Sequence, residues 1–197
     1  MSESGFQIHT GTACPMDQAN VDTDQIIPAR FMSTPREAGY APFLFHDLRD
    51  DGFALVRHPA ASVLVAGENF GCGSSREAAA YALVDFGIRA VLAPSFGDIF
   101  AGNAVNNGLA PCRIGRDETA ALTRALAGAS APAFVDIASR RVRVADVEVT
   151  CELPEAWAAK LINGWDDIDL TGARVEQIAA FRSHRHATAP WAWPGAS

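Results

Sequence analysis

Three kinds of hydrophobic pattern divide the chain. In its centre, residues 62–66 (S-V-L-V-A) form a short, continuously apolar run, as expected of a strand buried on both faces. A glycine-rich turn over 67–75 follows. Residues 76–86 (R-E-A-A-A-Y-A-L-V-D-F), with their run of alanines, predict a helix that Gly87 can end. Residues 88–93 predict a second buried strand closed by Pro94, 97–107 a helix stopped by Gly108, and 109–114 a third strand. Strands and helices alternating in this way predict parallel pairing with right-handed crossovers. Beyond a helical stretch at 117–127 the period changes. Residues 134–137, 142–144 and 147–150 alternate apolar and polar side chains, with A-S-R-R and A-D between them, which predicts a small antiparallel meander. Helical patterns at 155–163 and 172–181 complete the series.

The first third is less periodic. Residues 6–13 predict a short strand. Residues 21–31 (V-D-T-D-Q-I-I-P-A-R-F) lead from acidic turn residues into an apolar pair and a proline that biases Ile27 towards extended backbone. The stretch 32–59, punctuated by Pro35, Gly39, Pro42, Gly52 and Pro59, reads as a long loop with short helical pieces. Loops of that length in compact domains are usually functional or disordered. The tail from about 183, rich in Pro, Ala and Trp, is expected to be loose unless Trp191 and Trp193 dock on a partner.

Composition narrows the function. The chain of 197 residues is 49% hydrophobic and 20% charged, enough apolar content for one folded domain over 1–197. Its net charge of -7, without any run of Lys or Arg, argues against nucleic acid as a partner. No apolar run approaches the roughly 18 residues of a spanning helix, and residues 1–9 lack the layout of a secretory signal. The expected location is therefore the cytoplasm, with no membrane partner. Cys14, Cys72, Cys112 and Cys151 are widely spaced, as expected of reduced packing residues rather than a metal motif.

The string G-E-N-F-G-C-G-S-S-R-E, residues 67–77, carries the chemistry. One reading is structural: Ser74 and Glu77 make an S-x-x-E capping box on the following helix. The other reading takes the same helix start as an anion site, with glycines admitting a ligand close to the backbone. Arg76 in the first helical turn opposes the helix dipole, which suggests that it is kept to grip an anion bidentately. Amide dipoles and this arginine favour the charged form of a serine hydroxyl, which suits proton abstraction next to a carboxylate. The dinucleotide fingerprint fails for want of its third glycine and of an acid closing the next strand. The P-loop and nucleophile-elbow patterns fail as well.

Together with A-V-L-A-P-S-F-G-D-I-F-A-G-N, N-N-G-L-A-P and V-D-T-D-Q-I-I-P-A-R-F, this string resembles the swivelling domain of the aconitase superfamily. Within it, order, spacing and length resemble the small subunits of 3-isopropylmalate dehydratases, over roughly residues 6–181. The resemblance implies an α/β fold, a swivelling β/β/α domain of aconitase type with a parallel centre and a small antiparallel meander. It implies a hydro-lyase that interconverts 2- and 3-isopropylmalate in leucine biosynthesis. It also implies a hetero-oligomer with a large subunit that bears a [4Fe-4S] cluster, and no cofactor on this chain. Carried over, Ser74 is the catalytic base and Arg76 grips a substrate carboxylate. Ser75 is a hydrogen-bond partner and Asp24 a site-lining acid. Arg30 precedes the loop that chooses the substrate, and Phe31 begins its lining. Other outcomes are a relative acting on methylmalate or citraconate, dimethylmalate or homoaconitate, or a non-catalytic binding module. The chain departs from many bacterial small subunits in carrying Ala78-Ala79-Ala80-Tyr81 where they have His-Ala-Pro-Trp.

Overall fold

The computed structural model describes residues 5–193; the ends of the expected 1–197 domain, 1–4 and 194–197, lie outside the described residues. The elements run β1 (Ile8–Met16), α1 (Thr23–Ile26), α2 (Ala54–Arg57), β2 (Val63–Ala66), α3 (Ala78–Phe86), β3 (Ala90–Ala93), α4 (Asp98–Asn106), β4 (Ala110–Arg113), α5 (Arg116–Leu126), β5 (Ala131–Asp136), β6 (Arg141–Val144), β7 (Val147–Thr150), α6 (Glu155–Asn163), α7 (Asp167–Gly172) and α8 (Val175–Thr188). All the strands join one mixed sheet in the order β4-β3-β2-β1-β5-β6-β7. The β1–β4 half is parallel, and β1 turns the sheet antiparallel through its pairing with β5. The edge position of β4 accommodates Pro111, which has no N–H for a second ladder.

The apolar strands bury both faces because alternate side chains point to opposite sides. Leu64, Val91 and Ala93 join α1, α3 and the 32–59 loop in one core. Val63, Val65, Ala90 and Leu92 join α5, α6 and the meander in the other. The expected parallel centre and meander are thus both present, and among the described residues no helix is long and apolar enough to cross a membrane.

Three expectations change. The first strand is longer than 6–13 and lies in the middle of the sheet, since β1 runs to Met16 and serves both halves. The single helix expected at 172–181 is two, α7 and α8. The Asp166 side chain accepts from the Ile168 and Asp169 N–H groups and so starts a helix that apolar periodicity does not reveal. Finally, the tail expected to be loose from about 183 is helical to Thr188. No residue of α8 is buried, and His186 stacks on Trp193 with ring centroids 3.9 Å apart.

Candidate functional site

The parallel pairing of β1 and β2 does not stop where the strands end. Beyond Met16 and Ala66 it continues as a ladder between two loops. Asn20 N–H donates to the Glu68 carbonyl (2.8 Å), Gly71 N–H to Val21 (2.7 Å) and Thr23 N–H to Cys72 (2.9 Å). On its other side the glycine loop is bound to the segment after β3. Phe70 N–H donates to Ser95 (3.0 Å), and Gly97 N–H donates to Phe70 (2.9 Å). The glycines allow this crowding. Gly71 has φ +74°, and a Cβ there would lie 2.2 Å from the Phe100 ring. A Cβ on Gly97 would fall 2.5 Å from the Gly71 carbonyl oxygen.

The sequence sets the opposing strand of the ladder equally firmly. Asp22 and Gln25 form a capping box, with Gln25 N–H donating to Asp22 Oδ1 (2.7 Å) and Asp22 N–H to Gln25 Oε1 (2.9 Å). This fixes Thr23 as the first residue of α1 and buries it to 1% exposure. Thr23 Oγ1 accepts from Ser74 N–H (3.2 Å) and lies 2.8 Å from Ser74 Oγ. One residue on, the exposed carboxylate of Asp24 pairs with the Arg76 guanidinium. Ser75 is exposed, and its carbonyl accepts from Asn103 Nδ2 (3.4 Å). The fold therefore gathers Asp24, Ser74, Ser75 and Arg76 on one ladder end.

Arg30 and Phe31 form a neighbouring cluster. Arg30 donates to both carboxylate oxygens of Asp47, one of the bonds 2.8 Å long, and its guanidinium lies 4.5 Å from the centroid of the Phe31 ring. Phe31 stacks on Phe43 at 4.4 Å and tilts against His46 at 4.8 Å. The bond from Arg30, with help from His46, holds the Asp47 carboxyl well below the usual carboxylate range. The cluster reaches the ladder through α1: Phe45 N–H donates to the Ile26 carbonyl (2.8 Å), the turn that follows Thr23 and Asp24.

The capping reading of Ser74 fails. Helix α3 begins at Ala78, its cap residue Glu77 already has helical backbone, and no side chain caps it. Glu77 instead accepts from Asn107 Nδ2 (3.0 Å). Arg76 likewise precedes the helix rather than sitting in its first turn, so its partner is Asp24 and not the dipole. The reason is the ladder: the Ser74 amide is taken by Thr23, which holds the chain off the helical path until Glu77. Thr23 is the residue that reading the string alone missed. Its signal was available in the D-x-x-Q capping box, which places a threonine at the start of a helix beside the glycine loop.

The four cysteines are divided between the two cores and the glycine loop. Cys14 is buried in one core, its thiol pushed up to about 12 by burial. Cys112 and Cys151 are buried in the other core, on the opposite face of the sheet, where hydrogen bonding to Cys151 and burial raise the Cys112 thiol. Cys72 is half-buried in the glycine loop. Among the described residues, no group of three His, Cys, Asp or Glu side chains is placed to hold a metal ion.

Comparison with known proteins agrees with this architecture. Residues 45–117 match the family described as Aconitase C-terminal domain. The 3-isopropylmalate dehydratase small subunit of Frankia casuarinae is 43% identical over 189 residues, a match that covers 94% of this chain and 97% of the relative. That of Shewanella baltica strain OS185 is 44% identical over 191 residues, covering 90% and 95%. Among solved structures, a 3-isopropylmalate dehydratase from Methanocaldococcus jannaschii superposes with a TM-score of 0.67 at 30% identity, over 89% of this chain and 99% of that one.

Proposed function

The chain belongs to the 3-isopropylmalate dehydratase small-subunit family, and on that premise we propose how it takes part in the reaction. The enzyme is a hydro-lyase of leucine biosynthesis that interconverts 2- and 3-isopropylmalate by removing and returning water. This chain serves the proton-transfer half of that exchange. Ser74 Oγ takes the proton from the carbon next to a carboxylate and returns it from the other direction. Arg76 grips that carboxylate: its bond to Asp24 uses one arm of the fork, and a substrate carboxylate meets the rest. As the proton leaves, charge spreads onto the carboxylate, where a guanidinium favours it most. Asp24 keeps Arg76 in place while no substrate is bound, and Ser75 adds a second hydroxyl at the rim.

The observation that carries this reading is the ladder end itself. A serine hydroxyl is fixed by a buried threonine, and an arginine two residues along is steered by a carboxylate from the opposing loop. Departure of the substrate hydroxyl is the other half of the exchange. We assign it to the [4Fe-4S] cluster of the large subunit, whose docking over residues 67–76 would close the site and exclude water.

The test is co-expression with the large subunit and assay on 3-isopropylmalate. The isolated chain, purified anaerobically, is expected to be free of iron and inactive. In the assembled enzyme, Ser74→Ala is expected to lower kcat by at least about a hundredfold and to keep KM within a few-fold, because the hydroxyl acts in the transition state. Retention of most of the turnover by a folded, assembled Ser74→Ala enzyme would remove the serine from the mechanism.

A further inference from the structure

If Ser74 works as the base, the state that accepts a proton is its oxyanion, and the groups around Oγ decide whether that state is accessible. An oxyanion can only accept hydrogen bonds. Among the described residues, the side chain hydrogen-bonded to Ser74 Oγ is the Thr23 hydroxyl, at 2.8 Å. In the neutral enzyme either oxygen could donate. Thr23 Oγ1 already accepts from Ser74 N–H at 3.2 Å, so one of its lone pairs is occupied. Its own hydrogen needs an acceptor, because the residue is 1% exposed and cannot turn to solvent. Both hydrogen bonds of this hydroxyl thus run to a single residue.

We infer that Thr23 is the positioning residue of the base: its buried hydroxyl donates to Ser74 Oγ, turns the Ser74 hydrogen away from the ladder, and stabilises the oxygen once it is charged. The inference rests on the reading of Ser74 as base and extends it to a residue from the other loop. Two features make the donor rigid. The capping box of Asp22 and Gln25 holds the backbone around it, and the Thr23 N–H is bonded to the Cys72 carbonyl at 2.9 Å, two residues before Ser74. A donor fixed on both sides does not have to reorganise when charge forms, which is where preorganised donors derive their effect. The arrangement also explains why the chain carries threonine here between two acids. The acidic neighbours Asp22 and Asp24 are committed to the cap and to Arg76, whereas the threonine alone is buried and aimed at the serine.

The experiment uses the enzyme assembled with its large subunit, with steady-state kinetics on 3-isopropylmalate and on substrate deuterated at the carbon that loses its proton. Thr23→Val preserves shape and removes the donor. It is expected to lower kcat by about two orders of magnitude, the lower end of the roughly hundred- to thousand-fold loss seen when a single oxyanion donor is removed. KM should stay within a few-fold, and the deuterium isotope effect on kcat should rise as carbon–hydrogen cleavage becomes more rate-limiting. Thr23→Ser keeps the donor and should restore kcat to within a few-fold of wild type. In the Ser74→Ala background, Thr23→Val should cost nothing further, because the two residues act as a unit.

A Thr23→Val enzyme with full kcat would overturn the proposal. So would a loss shared equally by Thr23→Ser, or a loss with an unchanged isotope effect and a lowered melting temperature, since that marks a merely structural threonine. Thr23→Ala carries the same expectations should the valine variant fail to melt cooperatively. The underlying reading fails separately: if Ser74→Ala keeps its turnover, the serine is not the base whatever Thr23 does. If Ser74→Ala is inactive and Thr23→Val is not, only the role of Thr23 falls.

Discussion

Residues 67–77 and residues 28–59 both flank the proposed site, but they are held by different atoms. The first loop hangs on main-chain hydrogen bonds to the segments after β1 and β3. The second consists of single helical turns which, beside a main-chain bond from Phe45 N–H to Ile26, are tied in by side chains. Arg36 forks onto Asp85 of α3 (2.8 and 2.9 Å), Asp85 also accepts from Tyr40 N–H (2.7 Å), and Phe31 stacks on Phe43. The two arginines follow the same division. Arg76, whose side chain is 22% exposed, sits against a ladder; Arg30, at 55%, lies over the half-buried Phe31 ring. Main-chain bonds are indifferent to most side-chain changes, so a loop built from them keeps its geometry while the rest of the sequence drifts. A loop built from side chains is reshaped by each substitution. On the proposed roles, proton transfer would be housed where variation is harmless to geometry, and substrate choice where variation is effective.

Four substitutions test this contrast, and the largest effect belongs to Gly71. Gly71→Ala would force a Cβ into the Phe100 ring at a left-handed φ of +74°. Overpacking and backbone strain together predict a loss of about 2–4 kcal/mol in urea denaturation, with loss of activity. Phe100→Leu in the same chain should recover part of it. A Gly71→Ala protein of wild-type stability would show that the ladder is more pliable than its hydrogen bonds suggest.

Arg76→Lys comes next. Replacing a planar fork by a single ammonium should raise KM and lower kcat together, by roughly 10- to 100-fold in kcat/KM, with little change in the urea midpoint. Phe31→Leu should act on preference instead. Ratios of kcat/KM among malates with different apolar substituents should shift within the roughly 10- to 200-fold range of a hydrophobic pocket, while kcat on the best substrate stays close to wild type. If Phe31→Leu lowered kcat uniformly across substrates, the division between chemistry and choice would be lost.

The smallest effect is expected at Asp47. Its carboxyl is held below the usual range by Arg30, so the folded state releases its proton more readily than the unfolded chain. That contribution to stability is present above the ordinary carboxylate pKa of about 4 and disappears as the pH falls through the lower folded value. Asp47→Asn should therefore melt slightly below wild type at neutral pH, and the two curves should converge on acidification. A constant offset down to low pH would assign the effect to packing.

How far the sequence could be read follows the same contrast. The strands at 62–66, 88–93 and 109–114 were legible because they are buried on both faces, which writes itself as an uninterrupted apolar run. The meander was legible from period-two alternation. Ser74, Arg76 and Asp24 were legible as members of motifs. What escaped was whatever depends on two distant segments meeting. The string around Ser74 reads as a helix cap in isolation, and only the bond from its amide to Thr23 shows that the chain is diverted before the helix starts. The two C-terminal helices escaped for another reason. They bury no residue, so no apolar stripe announces them, and α7 is initiated by the polar cap of Asp166.

Thr23 and Ser74 are separated by 51 positions in the chain, and their meeting has a kinetic side. Closing a loop of that length costs conformational entropy before any contact compensates for it, and parallel pairings between distant strands form slowly for the same reason. The pairing of β1 with β2 must be complete before the ladder can extend beyond it. During refolding, the Thr23–Ser74 contact should accordingly appear among the last events, after local helices such as α5. Because the closure cost grows only logarithmically with length, trimming the 32–59 loop would speed the search only slightly. Strengthening the β1–β2 register itself would do more.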